Sequence, residues 1–106
     1  MNGRQQVTAA VARGAELLGK LLPCWDDGIG LDRLDMSDPD DCVLGQLWGC
    51  YQLAVYNLGI SDVTAADYGF TLLSRGSDCE AADRFDELTA AWRDLIASRR
   101  TARGTQ

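Results

Sequence analysis

A chain of 106 residues, 46% apolar and 25% charged, with ten Lys+Arg against sixteen Asp+Glu and no histidine, has the length of one small domain and is too short for an enclosed catalytic cleft of usual size. A formal net charge of −6 and a sequence pI near 4.4 argue against a general nucleic-acid or anionic-membrane binder. Without histidine the chain lacks the commonest general base, the commonest transition-metal ligand and the usual near-neutral pH switch.

Arg4, Arg13, Glu16 and Lys20 interrupt every apolar window near the N-terminus, so neither a signal peptide nor a membrane span is expected there. Residues 5–22 read instead as an amphipathic helix with Val7, Val11, Leu18, Leu21 and Leu22 close to one stripe, ended by Pro23. Gly14 and Gly19 each weaken that helix by about 1 kcal/mol relative to Ala, so its order should depend on docking.

The following stretch, CWDDGIGLDRLDMSDPDD, is crowded with Asp26, Asp27, Asp32, Asp35, Asp38, Asp40 and Asp41 and punctuated by Gly28 and Gly30. It reads as an acidic connector with a few buried apolar anchors, a short extended piece at residues 29–31 leading into one turn. Next comes the strongest helical pattern. Ser37 or Asp38 can cap it, Pro39 suits its first position, Asp40 and Asp41 oppose the positive end of the dipole, and Gly59 suits a left-handed stop. Leu44, Leu47, Trp48, Tyr51, Val55 and Leu58 then share one broad apolar face, which predicts a single central helix ending at Leu58.

Residues 61–68 predict a short capped helix closed by Gly69, and residues 70–73 are extended and able to pair with residues 29–31 in a minimal two-stranded ribbon. Arg75, Gly76 and Ser77 predict a turn, and Ser77 with Glu80 has the spacing of a capping box. The last helix is predicted over 78–99, with Ala81, Phe85, Leu88, Trp92, Leu95 and Ile96 on one face. Arg99, Arg100 and Arg103 complement its negative end. The expected architecture is a mainly α, compact three- to four-helix domain over residues 1–98 with an acidic connector, followed by a disordered basic tail over 99–106.

Site chemistry is narrowed chiefly by exclusion. Hard divalent cations want several converging carboxylate oxygens, yet the connector lacks the Gly and Glu positions of an EF-hand loop. Helix capping and solvation account better for its aspartates, and no metal is expected. Cys42 and Cys50, on what reads as one helix, would lie about 12 Å apart along it and cannot share a zinc ion. Together with Cys24 and Cys79 they read as reduced thiols of a cytosolic protein, with Cys42, Cys50 and Cys79 packing at helix starts or seams. Cys42, in a first helical turn, has one influence lowering its pKa and three nearby aspartates raising it. With no histidine to activate a nucleophile and no P-loop, G-x-S-x-G or dinucleotide fingerprint, neither an enzyme nor a bound cofactor is expected.

Trp48, Tyr51 and Trp92 fall on apolar helix faces, and Trp48 and Trp92 are expected to be buried on facing helices. Trp25, Tyr56 and Tyr68 lie in a loop or off the main stripe, where part-exposed aromatics beside acids can compose an interaction patch, although plain packing stands slightly ahead for each. Charge is uneven: residues 1–23 carry +2, residues 24–67 carry −8 and residues 68–106 carry 0. Because Asp26, Asp27, Asp32 and Asp35 are not needed as caps, they are expected to face solvent and present a negative surface, with Trp25 as a candidate apolar anchor at its edge.

The W-x(6)-D-x-x-D string from Trp25 through Asp32 and Asp35, the segment DCVLGQLWGCY, then AADYGF and ELTAAWRDLI, resemble uncharacterised small proteins of actinobacteria and their phages over residues 22–96. The most specific parts are CVLGQLWG, the later YGF and LTAAW. The resemblance implies a phage or prophage accessory protein in the bacterial host cytosol, and no activity, cofactor or site comes with it. The function expected is that of a small non-enzymatic binding protein for a host protein with a basic surface, contacting neither nucleic acid nor membrane directly. The runner-up is an acidic nucleic-acid mimic that blocks a DNA-binding protein, and the third reading is a metal-assisted enzyme using the connector aspartates.

Overall fold

The computed structural model describes residues 3–72 and 78–104. Among them the chain is mainly helical, with α1 (Gly3–Leu21), a 3-10 turn (Trp25–Gly28), α2 (Val43–Trp48), α3 (Tyr51–Leu58), α4 (Asp62–Asp67) and α5 (Asp78–Gly104), and no strand. The long helices α1 and α5 pack together, α2 packs on α3, and α4 lies against α1.

Val11, Ala15 and Leu18 of α1 are buried with Leu88, Trp92 and Ile96 of α5. The stripe predicted on α1 ends earlier than expected: Leu21 and Leu22 stay exposed. The chain turns away at Pro23, and the next buried apolar side chain after Leu18 is Trp25. Gly14 permits a close approach. A Cβ there would come within 2.1 Å of the Tyr68 carbonyl oxygen and 3.1 Å of the Trp92 ring, so its cost in helix propensity is offset by tight packing.

The single central helix expected up to Leu58 is two helices. Gly49 adopts φ 99°, where an L side chain is strained, and Cys50 restarts the chain in extended geometry as the N-cap of α3. Both caps are thiols: Cys42 Sγ accepts from Gly45 N at 3.2 Å and Cys50 Sγ from Leu53 N at 3.4 Å. Neither expected cap serves: Ser37 donates to Asp35 Oδ1 and Asp38 closes a local turn by accepting from Asp40 N at 2.8 Å, so Asp40 and Asp41 precede the helix instead of lying in its first turn. The expected stop does occur, with Gly59 left-handed at φ 69°. Ser61 caps α4 as predicted, accepting from Thr64 N at 3.3 Å.

The ribbon does not form among the described residues. Gly30 N donates to Gln46 Oε1 at 2.7 Å and Gln46 Nε2 donates back to Gly30 O at 3.3 Å, so an amide side chain occupies the groups a partner strand would need. Phe70 N donates to Ala65 O at 2.9 Å. Leu73, the turn at 75–77 and the Ser77 half of the capping box lie outside the described residues. At the C-terminus α5 runs to Gly104, so helix continues into the segment expected as a disordered tail.

Candidate protein-binding surface

The connector begins by folding inward. The 3-10 turn buries Trp25 and Asp26, which are 2% and 0% exposed. The Trp25 ring meets Trp92 edge-on, with centroids 5.8 Å apart and planes at 90°. Phe70 stacks on Trp92 at 5.8 Å and Tyr68 on Phe70 at 5.9 Å, which makes a column of four rings. Arg99 lies over the Trp25 ring at 5.3 Å and its Nε donates to Asp26 Oδ2 at 3.3 Å. Arg100 donates to the Asp26 carbonyl at 2.6 Å and also to the Ile29 carbonyl.

Two expected site residues are thereby corrected. Trp25 is part of the core and offers no surface anchor, because burying so large a ring outweighs leaving it at a loop edge. Asp26 does not face solvent. Its neighbour carries it inside, and a guanidinium from a distant helix offsets the desolvation of its charge.

Asp27, Asp32 and Asp35 are exposed as expected. Their backbone is held firmly, because Ile29, Leu34 and Met36 are buried and Met36 N donates to Thr89 Oγ1 of α5 at 2.9 Å. Asp35 Oδ1 accepts from Ser37 N and Oγ at 3.0 and 2.6 Å, and Arg33 pairs with Asp41 at 2.8 Å. Between the connector and α5 runs an open groove of about 520 Å³ whose lining includes Asp32, Asp35, Asp41 and Asp86 along with Arg33 and Arg93. Among the described residues no three acidic or thiol side chains converge closely enough to hold a metal ion.

Several basic side chains are turned onto the fold. Arg13 donates through Nε and Nη2 to the Asp67 carbonyl at 3.1 and 2.8 Å, Arg99 and Arg100 hold the 3-10 turn, and Arg33 holds Asp41. Two groups have displaced acidities, each for a structural reason. Burial raises the Cys42 thiol, with a smaller contribution from Asp38 in the same direction, and outweighs its backbone hydrogen bonds. Burial, followed by the hydrogen bond to Asp62, pushes Tyr51 up to about 12. Neither environment activates a nucleophile or a base at neutral pH.

The remaining aromatics divide. Tyr68 is half-buried beneath Phe70, and Trp48, expected in the core, is only half-buried because the helix break lets α2 end beside it. Tyr56 is 84% exposed, accompanied by Leu53 at 52% and Val63 at 60%. Tyr56 was legible as an aromatic off the main stripe. Leu53 and Val63 were not singled out, although Leu53 is likewise an apolar residue out of phase with the buried face. Known protein families, curated proteins and solved structures offer no match to this chain. No helix of the described residues is long and apolar enough to cross a membrane.

Proposed function

We propose that this chain is a small non-enzymatic binding protein that meets a basic surface of a host protein through the exposed carboxylates of its connector, acting as a phage or prophage accessory protein in the bacterial cytosol. The observation that carries the reading is the arrangement of charge. Asp27, Asp32 and Asp35 project from a connector pinned to α5 and α2, while Arg13, Arg99 and Arg100 are directed onto carbonyls and a buried carboxylate. A rigid acidic ridge concentrates negative potential and steers a cationic partner.

The test is the triple variant Asp27→Asn, Asp32→Asn, Asp35→Asn, compared with the parent for association with the host protein it retains. The fold should survive, association should slow, and the salt dependence should flatten. A variant that associates as fast as the parent at low salt would remove the connector from the interface. A complex that dissolves steeply with salt in the parent, and whose partner is a DNA-binding protein, would favour the nucleic-acid mimic.

A further inference from the structure

A cavity of about 370 Å³ opens where α1, α5 and the segment that follows α4 meet, and no connector carboxylate lines it. Its volume falls in the range of small-molecule sites, about 300–1,000 Å³. The wall after α4 is held in place. Gly69 is left-handed at φ 73°, and a Cβ there would come within 2.9 Å of Val11 N, so glycine lets the chain lie this close to α1. The Gly69 carbonyl accepts from Trp92 Nε1, and the Asp67 carbonyl accepts from Arg13. Val7 and Ala10 of α1, Leu88 of α5 and Leu72 supply the apolar lining.

Arg13, Arg84, Asp67 and Glu87 complete that lining, and their charges are not spent on one another. Among the described residues, carboxylates pair only with Lys20, Arg33 and Arg99. Arg13 is held through Nε and Nη2 by a neutral carbonyl, which fixes the guanidinium without cancelling its charge. Arg84 and Glu87, three residues apart on α5, are neighbours on the helix surface and yet do not pair. Opposite charges therefore stand side by side next to an apolar floor. A simple anion would meet Glu87 and Asp67, a simple cation would meet two guanidiniums, and an uncharged apolar molecule would strip water from every one of them. We propose that this cavity binds a small zwitterion with an apolar chain, the class of the aliphatic and aromatic amino acids, with its carboxylate on Arg84 and Arg13, its ammonium on Glu87 and its chain over the apolar lining. The planar fork of arginine suits the carboxylate. The site shares no residue with the acidic ridge of the connector, so this inference goes beyond the protein-binding reading and does not rest on it.

Probes of one shape separate the charges: L-leucine, isocaproate, which lacks the ammonium, isoamylamine, which lacks the carboxylate, and glycine, which lacks the chain. Titrated into the full chain and followed by amide NMR shifts, L-leucine should move the amides of Gly69, Leu72, Arg84 and Glu87 and bind roughly tenfold or more tighter than each of the others. Arg84→Gln should bring L-leucine down toward the affinity of isoamylamine, and Glu87→Gln should bring it down toward that of isocaproate. Both side chains are exposed, so the thermal melt should stay that of the parent. No shift of these amides with L-leucine or L-phenylalanine up to about 10 mM, equal affinity for isocaproate and L-leucine, or parent-like L-leucine binding by both variants would each overturn the proposal. Failure of the connector reading is distinct, because the triple Asn variant should titrate with L-leucine as the parent does.

Discussion

Trp25 and Trp92 touch each other, yet their polar edges are in opposite situations. Trp92 Nε1 donates to the Gly69 carbonyl at 2.6 Å, whereas the buried Trp25 Nε1 meets no acceptor among the described residues. Replacing Trp92 by Phe therefore strands a buried carbonyl, and replacing Trp25 by Phe strands nothing. In urea unfolding Trp92→Phe should cost about 1–3 kcal/mol more than Trp25→Phe, and equal costs would show that ring volume alone matters. The thiols permit a similar contrast. Cys24 is exposed and Cys42 buried, and burial holds the Cys42 thiol protonated further above neutrality than usual. Since the thiolate is the reacting species, maleimide at pH 8 should label Cys24 rapidly and Cys42 only at the rate of opening. Labelling of Cys42 as fast as Cys24 would contradict its buried place at the start of α2.

Among the elements, α5 does the most that its local sequence does not announce. Its last turns reach back over the 3-10 turn, with Arg99 on Asp26 and Trp25 and Arg100 on two carbonyls. A chain ending after Ser98 would leave Asp26 buried without that guanidinium. The expected loss is on the order of 1–3 kcal/mol, less than the ~3–5 kcal/mol of a fully buried pair, because the Arg99 side chain remains 40% exposed. Thermal unfolding of the truncated and full chains decides it, and an unchanged midpoint would mean that the terminal turns are dispensable. The α2 and α3 boundary gives the converse lesson. Both helices keep their apolar residues in one phase, so periodicity reads them as one, while the break rests on a single glycine and a thiol cap that periodicity does not weigh.

At the scale of the whole molecule, the tie between α3 and α4 gives the fold a pH dependence on the alkaline side. Tyr51 is raised from its ordinary value of 10.0 to about 12 by burial and by its hydrogen bond to Asp62, so the folded state prefers the neutral phenol. That preference stabilises the fold fully below pH 10 and is lost as the pH rises toward 12. Stability of the parent should fall more steeply across this interval than that of Tyr51→Phe, and parallel curves would show that the phenol is not held as described. The mainly helical class, the stop at Gly59, the cap at Ser61 and the face of α5 containing Leu88, Trp92 and Ile96 were all set by the sequence alone, because periodicity and capping act over three or four residues. Asp27, Asp32 and Asp35 were legible as exposed for a related reason: an ionised carboxylate is costly to take out of water, and nothing in their local pattern draws them inward. The fates of Trp25 and Asp26 were decided only in three dimensions. The bonds that fix the 3-10 turn join residues 71 to 74 positions apart, and no local pattern shows whether a carboxylate will meet a guanidinium from the far end of the chain or remain facing solvent.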